Sequence, residues 1–346
     1  MSSYILKLRE FINNPEQLDD KLEWVTLDDS APPTLLIYGE RLGLEVLKNS
    51  NFKPGNLLHY WRVLSKAPEG HLKAIEIYFD RAPTILHGEI HFVARRFFAP
   101  TYRRMESDLP SWLHSFTEDF FCTYNHYDQI SPLALAREYV QQLSRRIIAK
   151  DLNVEVHELP DMPGEILQMM TTLKILEEYD QRLSTLVGFI QSKLKLDGRD
   201  PIEAWSIVST TVMGTEPLLG AVLYALMLPT DDLMSWDAEK LMNESKPISV
   251  LGREAVNDVE IGEMVFQKGQ RVQVTTDLIR NSSINQRSIP QAIPFGIGVH
   301  ICPGKKISLM AADAFLKRLG NAKDMHHKLN KVKFTRDFVL RAREIA

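Results

Sequence analysis

The sequence predicts a mainly α-helical protein with a small β part, an α+β arrangement, on three observations. Apolar residues recur at helical spacing through most of 89–196. Residues 202–228 are apolar on nearly every face, as a buried central helix must be. Short alternating segments bounded by turn residues follow between 258 and 276.

Taken in order, residues 5–13 and 17–23 read as helical, 34–38 as a short strand and 39–47 as a helix. Residues 52–87 are irregular, with Pro54, Pro68 and Pro83 as breakers. A helix is expected over 89–98, ended by Pro100, and further amphipathic helices over 110–124, 132–150, 163–180 and 180–196. The central helix has clear punctuation. Asp200 is its N-cap candidate, Pro201 suits the first helical position, Glu203 lies in the first turn and Pro229 ends it. Within it, Pro217 removes the N–H that the Met213 carbonyl would accept, so a kink is expected there. Glu216 and Pro217 near its middle argue against a membrane span. Residues 236–243 read as helical, 258–262, 264–266 and 271–276 as strands with turns at Gly262 and Lys268–Gly269, 303–320 as a helix and 338–342 as a strand.

The bulk numbers exclude more than they assign. A length of 346 residues without a Pro/Gly/Ser linker, repeat or low-complexity tract suggests one domain over 1–346. A hydrophobic content of 44% and a charged content of 25% are those of a soluble globular protein. A net charge of −4 gives no electrostatic case for nucleic acid. Residues 1–30 hold no long apolar run, so neither a signal peptide nor a membrane anchor is expected. The two cysteines, Cys122 and Cys302, stand far apart, which fits a reducing cytoplasm and rules out a disulfide framework.

Cys302 carries the chemistry. It lies in PFGIGVHICPGKK (294–306), among Gly296, Gly298 and Gly304, and just ahead of the helix expected from 303. Glycine permits tight turns and close backbone approach, and a helix N-terminus favours thiolate over thiol. A thiolate in an apolar loop ligates a soft or borderline metal, and haem iron is one. A lone cysteine can equally be a small buried hydrophobe, and a glycine-rich loop before a helix can hold phosphate. Neither accounts for Phe295, His300 and Cys302 at these offsets.

The run resembles the haem-binding loop of the cytochrome P450 family, F-x-x-G-x-x-x-C-x-G, matched at Phe295, Gly298, Cys302 and Gly304, with His300 as in many bacterial members. The resemblance implies the P450 fold in a truncated form, with haem b (iron protoporphyrin IX) ligated by the Cys302 thiolate. His91 and Arg95, one helical turn apart in 89–96, resemble the family's H-x-x-x-R helix; Arg253 resembles the arginine before its D-V-x-I-x-G strands. With His300 they would bind the propionates. MetGlyThrGluProLeuLeuGly (213–220) resembles the segment over the haem, with Gly214 as the small residue and Glu216 as the acid. Substrate contacts are implied in the loop before His91, at Thr210 and Met213, and in the stretch 249–251 with Val250 and Leu251, each of which would serve equally as ordinary core packing.

Departures from the pattern are as informative. Pro217 replaces the threonine that relays protons to bound dioxygen, which leaves Glu216 as a possible acid–base group or a mere helix-bend residue. A glutamate there would suit a cationic substrate. The family's E-x-x-R falls on Lys240 and Asn243, with Glu239 as a substitute one residue away, and Arg280 and Asn281 are the remnant of its A-N-R-D stretch. The resemblance runs from about Thr34 to Ala342 and is specific around 89–96, 253–262 and 294–306. It implies a cytoplasmic monooxygenase oxidising a small organic molecule in a biosynthetic pathway. Electrons would come from an external ferredoxin or flavoprotein, since no flavin or nicotinamide fingerprint is present, and Lys305 and Lys306 are candidates for the docking face. Two alternatives stand beside it: a peroxide-dependent or reductant-independent haem-thiolate enzyme (peroxygenase, dehydratase or isomerase) using Glu216, and a non-catalytic P450-like partner protein.

Overall fold

The computed structural model describes residues 22–25, 33–37, 40–55, 66–106, 108–124, 130–163, 173–229, 233, 235–276, 293–320, 332–336 and 340–344. Helices dominate them. Near the start, strands β1 (Leu22–Val25) and β2 (Thr34–Ile37) pair antiparallel, α1 (Glu40–Lys48) follows, and β3 (Phe52–Pro54) comes next. Helices α2 (Lys73–Arg81), α3 (Gly88–Glu106), α4 (Leu109–Thr123), α5 (Pro132–Leu152) and α6 (Leu173–Leu196) lead to the central pair α7 (Glu203–Val212) and α8 (Thr215–Leu226). After α9 (Ala238–Ser245) come β4 (Val250–Ala255), β5 (Val259–Ile261), β6 (Met264–Phe266) and β7 (Arg271–Thr275). Helix α10 (Lys305–Gly320) and the hairpin β8 (Val332–Arg336)–β9 (Leu340–Glu344) complete the order. The main sheet runs β1-β2-β7-β4-β3, with β2 and β7 parallel and its other pairs antiparallel.

Local chemistry explains the best-formed elements. Ser131 accepts from the Ala134 N–H at 3.1 Å, Pro132 opens α5, and Asn153 closes it in the left-handed conformation at φ 51°. Asp237 caps α9 by accepting from the Lys240 N–H at 2.7 Å. Gly262 and Gly269 adopt φ of +59° and +83° in the expected hairpin turns.

Three apolar clusters hold these elements together. The first joins α4, α5, α8, α9 and α10. At its centre Tyr139 lies 4.7 Å from the Phe315 ring and 5.2 Å from those of Phe116 and Phe120. Its hydroxyl shares a hydrogen bond with Thr117 at 3.0 Å, so the buried phenol is satisfied. The second cluster joins α2, α6, α7 and the end of α5. The third lies between the sheet and α1, where Phe52 and Phe266 meet edge to face at 5.3 Å.

Several expectations need correction. The helix predicted over 202–228 is two helices, broken at Met213–Gly214, and each half serves a different cluster. The break falls where Pro217 leaves the Met213 carbonyl without its helical donor. Asp200 accepts from the Ile202 N–H at 2.9 Å, so it caps the turn ahead of α7 rather than the helix itself. Pro100 does not end α3, which runs on to Glu106. A single helix, α6, replaces the two expected on either side of 180; residues 164–172 lie outside the described residues. Residues 52–87 contain β3 and α2, because Ile75, Tyr78 and Phe79 present a buried helical face that the prolines obscure in sequence. Residues 22–23 belong to a strand, since pairing with β2 outweighs a weak helical preference. The expected helix at 5–13, the remainder of 17–23, and Arg280 and Asn281 lie outside the described residues. The stretch Glu203–Leu226 is long and apolar enough to cross a membrane by composition, and 78% of its most apolar window is buried inside the protein.

Candidate active site

Two glycines set the cysteine loop. Gly296 and Gly298 both take left-handed backbone, at φ of +70° and +69°, which a side chain would strain. The loop is closed by the Cys302 N–H, which donates to the Phe295 carbonyl at 2.7 Å. Phe295 is itself buried, and Lys305 Nζ lies 6.0 Å from its ring centre. Arg95 ties the loop to α3, its Nη1 donating to the carbonyls of Val299 and Ile301 at 2.8 Å each.

A cavity of about 210 Å³ opens beside this loop. Cys302, Phe295 and His300 line it on the loop side, with His91 and Arg95 from α3 and Arg253 from β4. Met213, Gly214, Pro217 and Leu218 line it from the break between α7 and α8. Pro83 and Thr84, Met242, and Pro247, Ile248 and Leu251 complete most of the wall. The described wall has no aspartate or glutamate.

The basic groups on it crowd one another. The His91 and His300 rings lie 4.4 Å apart, and His87 stacks on His300 at 5.8 Å. Burial, then Arg95 and His87, push His91 down to about 4. Burial, then His91, Arg253, His87 and Arg95, push His300 down to about 3. Burial lowers Arg253 to about 10. Arg253 Nη1 donates to the Gly252 carbonyl at 2.8 Å, whereas its Nε and both ring nitrogens of His300 are buried without hydrogen-bond partners. Buried donors left this way are costly unless a ligand pairs them. The set suits a ligand carrying anionic groups.

At Cys302 the balance differs from the expectation. Burial raises the thiol, and the Gly304 N–H, the Arg95 charge and the Lys305 N–H pull it down without prevailing. A helix start alone does not outweigh desolvation here; a metal cation at the sulfur would.

The other expected site residues are only partly brought together. Met213, Gly214 and Leu251 are on the cavity wall. Thr210 and Val250 are not: Thr210 is half-buried one turn before the break, and Val250 is buried where β4 pairs with Thr275 of β7. Gly214 is required by its own chain, because a Cβ there would collide with the Thr210 carbonyl. Glu216 is buried, yet it is absent from the wall; its field is felt by Tyr179 of α6, whose phenol burial, Tyr78 and Glu216 raise. Glu239 is exposed, and Lys240 Nζ lies 4.6 Å from the centre of the Trp236 ring. The inward face of α9 is instead Leu241, Met242 and Ser245. Thr84 and His87 lie in the loop before His91, where contacts are expected without a named residue, and Met242 was missed, for which no motif speaks.

No protein-family model matches this sequence, and no curated protein matches it. Solved structures do match. P450BioI, crystallised with hexadec-9Z-enoic acid ligated to acyl carrier protein, superposes with a TM-score of 0.70 at 15% identity over 92% of either chain. The cytochrome P450 PksS of the Bacillus subtilis 168 bacillaene polyketide synthase gives 0.69 at 12% identity, over 99% of this chain and 97% of that one. P450 OxyD, involved in the biosynthesis of vancomycin-type antibiotics, gives 0.65 at 15% identity, over 99% and 95%. At such identities the likeness is one of backbone architecture. The chain has the cytochrome P450 fold.

Proposed function

We propose that the protein is a haem-thiolate oxidoreductase of the P450 type that oxidises a small organic substrate in a biosynthetic pathway of the cytoplasm. One observation carries the reading: the cysteine of a glycine-set loop and a carboxylate-free group of basic side chains share one cavity wall. That donor set fits haem. Cys302 would ligate the iron, and His91, Arg95, Arg253 and His300 would pair with the propionates, satisfying the buried donors of Arg253 and His300. Phe295, Gly298 and Gly304 shape the loop. Biosynthetic use is supported by neighbours named for antibiotic and polyketide pathways.

Haem held there supplies the iron chemistry by which oxygen from dioxygen or peroxide enters a C–H bond. The chain does the rest. The closed loop holds the sulfur, with the Gly304 and Lys305 N–H groups directed at it. The proline-rich, apolar remainder of the wall excludes water and accepts an organic molecule. As a monooxygenase the protein takes electrons from an external ferredoxin or flavoprotein.

Pro217 on the wall favours a second reading, use of peroxide without a reductase, because no hydroxyl at that position can relay a proton. Glu216 is assigned no part in either, since it does not line the cavity. A non-catalytic role is opposed by the intact loop around Cys302.

The test is the carbon-monoxide difference spectrum of the reduced protein. The red-shifted band of thiolate ligation is expected, and its loss in Cys302→Ser. Folded protein that takes up no haem when haem is ample would overturn the proposal. Comparing reductase-driven with peroxide-driven turnover then separates the two enzyme readings.

A further inference from the structure

We infer that His87, which does not line the cavity, is a positioning residue for haem: its ring braces that of His300 on the cavity wall. The inference rests on the haem-thiolate reading above, in which His300 is a partner of the propionates.

The backbone around His300 is firmly set. Gly298–His300 form a single 3-10 turn, and the Ile301 N–H donates to the Gly298 carbonyl at 3.2 Å. Arg95 takes the carbonyls of Val299 and Ile301, one on each side of His300. The ring is held differently. Neither of its nitrogens has a hydrogen-bond partner among the described residues, so its orientation depends on what packs against it. Two imidazoles do so. His91 lies 4.4 Å away with the ring planes 44° apart, and His87 lies 5.8 Å away with the planes 24° apart. Both separations fall in the range where aromatic rings attract. His91 lines the cavity and is itself assigned to a propionate, which leaves the bracing to His87.

The chain places His87 for this task. Gly88 opens α3 with a left-handed φ of +66°, so His87 reaches His300 from outside the helix that carries His91. A ring fixed before haem arrives has already lost the rotamer freedom that pairing with a propionate would otherwise cost. Near-parallel stacking uses the face of the imidazole rather than its nitrogens, so a phenyl ring can replace it.

The experiment compares haem-loaded wild-type protein with His87→Ala, His87→Phe and His87→Asn. Two quantities are read: the rate of haem transfer to excess apomyoglobin, and the midpoint potential of the ferric–ferrous couple. Helical circular dichroism reports the fold of each variant. His87→Ala should release haem about three- to tenfold faster, the range for one aromatic contact. A propionate with a weakened partner leaves more negative charge near the iron, which favours the ferric form. The ferric-to-ferrous affinity ratio should therefore rise about threefold, a fall of about 28 mV at about 59 mV per tenfold for one electron. His87→Phe should keep the wild-type rate and potential. His87→Asn, polar but without an aromatic ring, should match His87→Ala and replaces it if the alanine variant does not fold. Wild-type rate and potential in the alanine and asparagine variants overturn the inference. So does a phenylalanine variant that matches alanine, since the histidine would then act through its nitrogens or charge. Faster release at an unchanged potential also overturns it, because His87 would then only support the loop. Wild-type protein that takes up no haem removes the underlying reading and this one with it, whereas the other failures leave the haem reading intact.

Discussion

Arg95 Nη1 and the Ile301 carbonyl are 2.8 Å apart, and the same nitrogen holds Val299 at 2.8 Å, so one guanidinium spans the residues immediately before Cys302. The contact joins α3 to a loop more than two hundred positions away in sequence. It gives Arg95 a task in the chain itself, besides any it has toward a propionate.

Arg95→Ala should therefore loosen the loop before it affects the fold. Hydrogen bonds from a charged donor are worth about 1.5–3 kcal/mol when buried, and this pair, being partly exposed, about 1–2 kcal/mol in total. Hydrogen exchange at 296–304 should accelerate while exchange in α5 stays unchanged. Uniform acceleration across both would mean that Arg95 supports the whole fold instead.

Gly214→Ala should destabilise the protein by about 1–3 kcal/mol, because the added methyl meets the Thr210 carbonyl and the backbone must shift. Denaturant unfolding measures it. Pro217→Thr restores both an N–H for the Met213 carbonyl and a hydroxyl at the cavity wall. It should raise reductase-driven turnover relative to peroxide-driven turnover; an unchanged ratio would separate the missing hydroxyl from the choice of oxidant.

Glu216→Gln should leave peroxide-driven turnover within about twofold, since a group off the wall cannot pass its proton to a reacting atom. A loss of about a hundredfold would restore the acid–base role.

His91 gives a pH prediction for protein stripped of haem. Its folded value is about 4 against an ordinary 6.5, so the unfolded chain binds the extra proton between those limits. Stability from this group is complete above about pH 6.5 and is lost as pH falls toward about 4. His91→Gln should flatten the stability–pH curve in that window. Bound propionates would offset the same protonation, so the haem-loaded protein should show a shallower slope.

Away from the cavity, Arg199 Nη2 bonds Asp151 at 3.1 Å and Glu203 at 2.7 Å, and the Asp151 side chain is 1% exposed. Arg199→Ala removes the guanidinium from that buried carboxylate and should cost about 3 kcal/mol in a denaturant titration. A change below about 1 kcal/mol would show that water replaces the guanidinium.

What the sequence determined by itself is local. The turns at Gly262 and Gly269 and the fold class depend on residues within a few positions of one another. The cysteine loop is legible for the same reason, since Phe295, Gly298, Cys302 and Gly304 lie within ten consecutive residues. Tertiary structure alone decided which way the longer elements face. A helix break of two residues turns Glu216 off the wall that Gly214 and Pro217 line, and no spacing rule for a continuous helix anticipates that. The inward face of α9, with Met242 in and Glu239 out, follows from packing against α8 and α10. His87 on His300 and Arg95 on Ile301 join chain segments that only the folded topology brings together, because their affinity comes from burial and pairing rather than from any preference of the isolated segments.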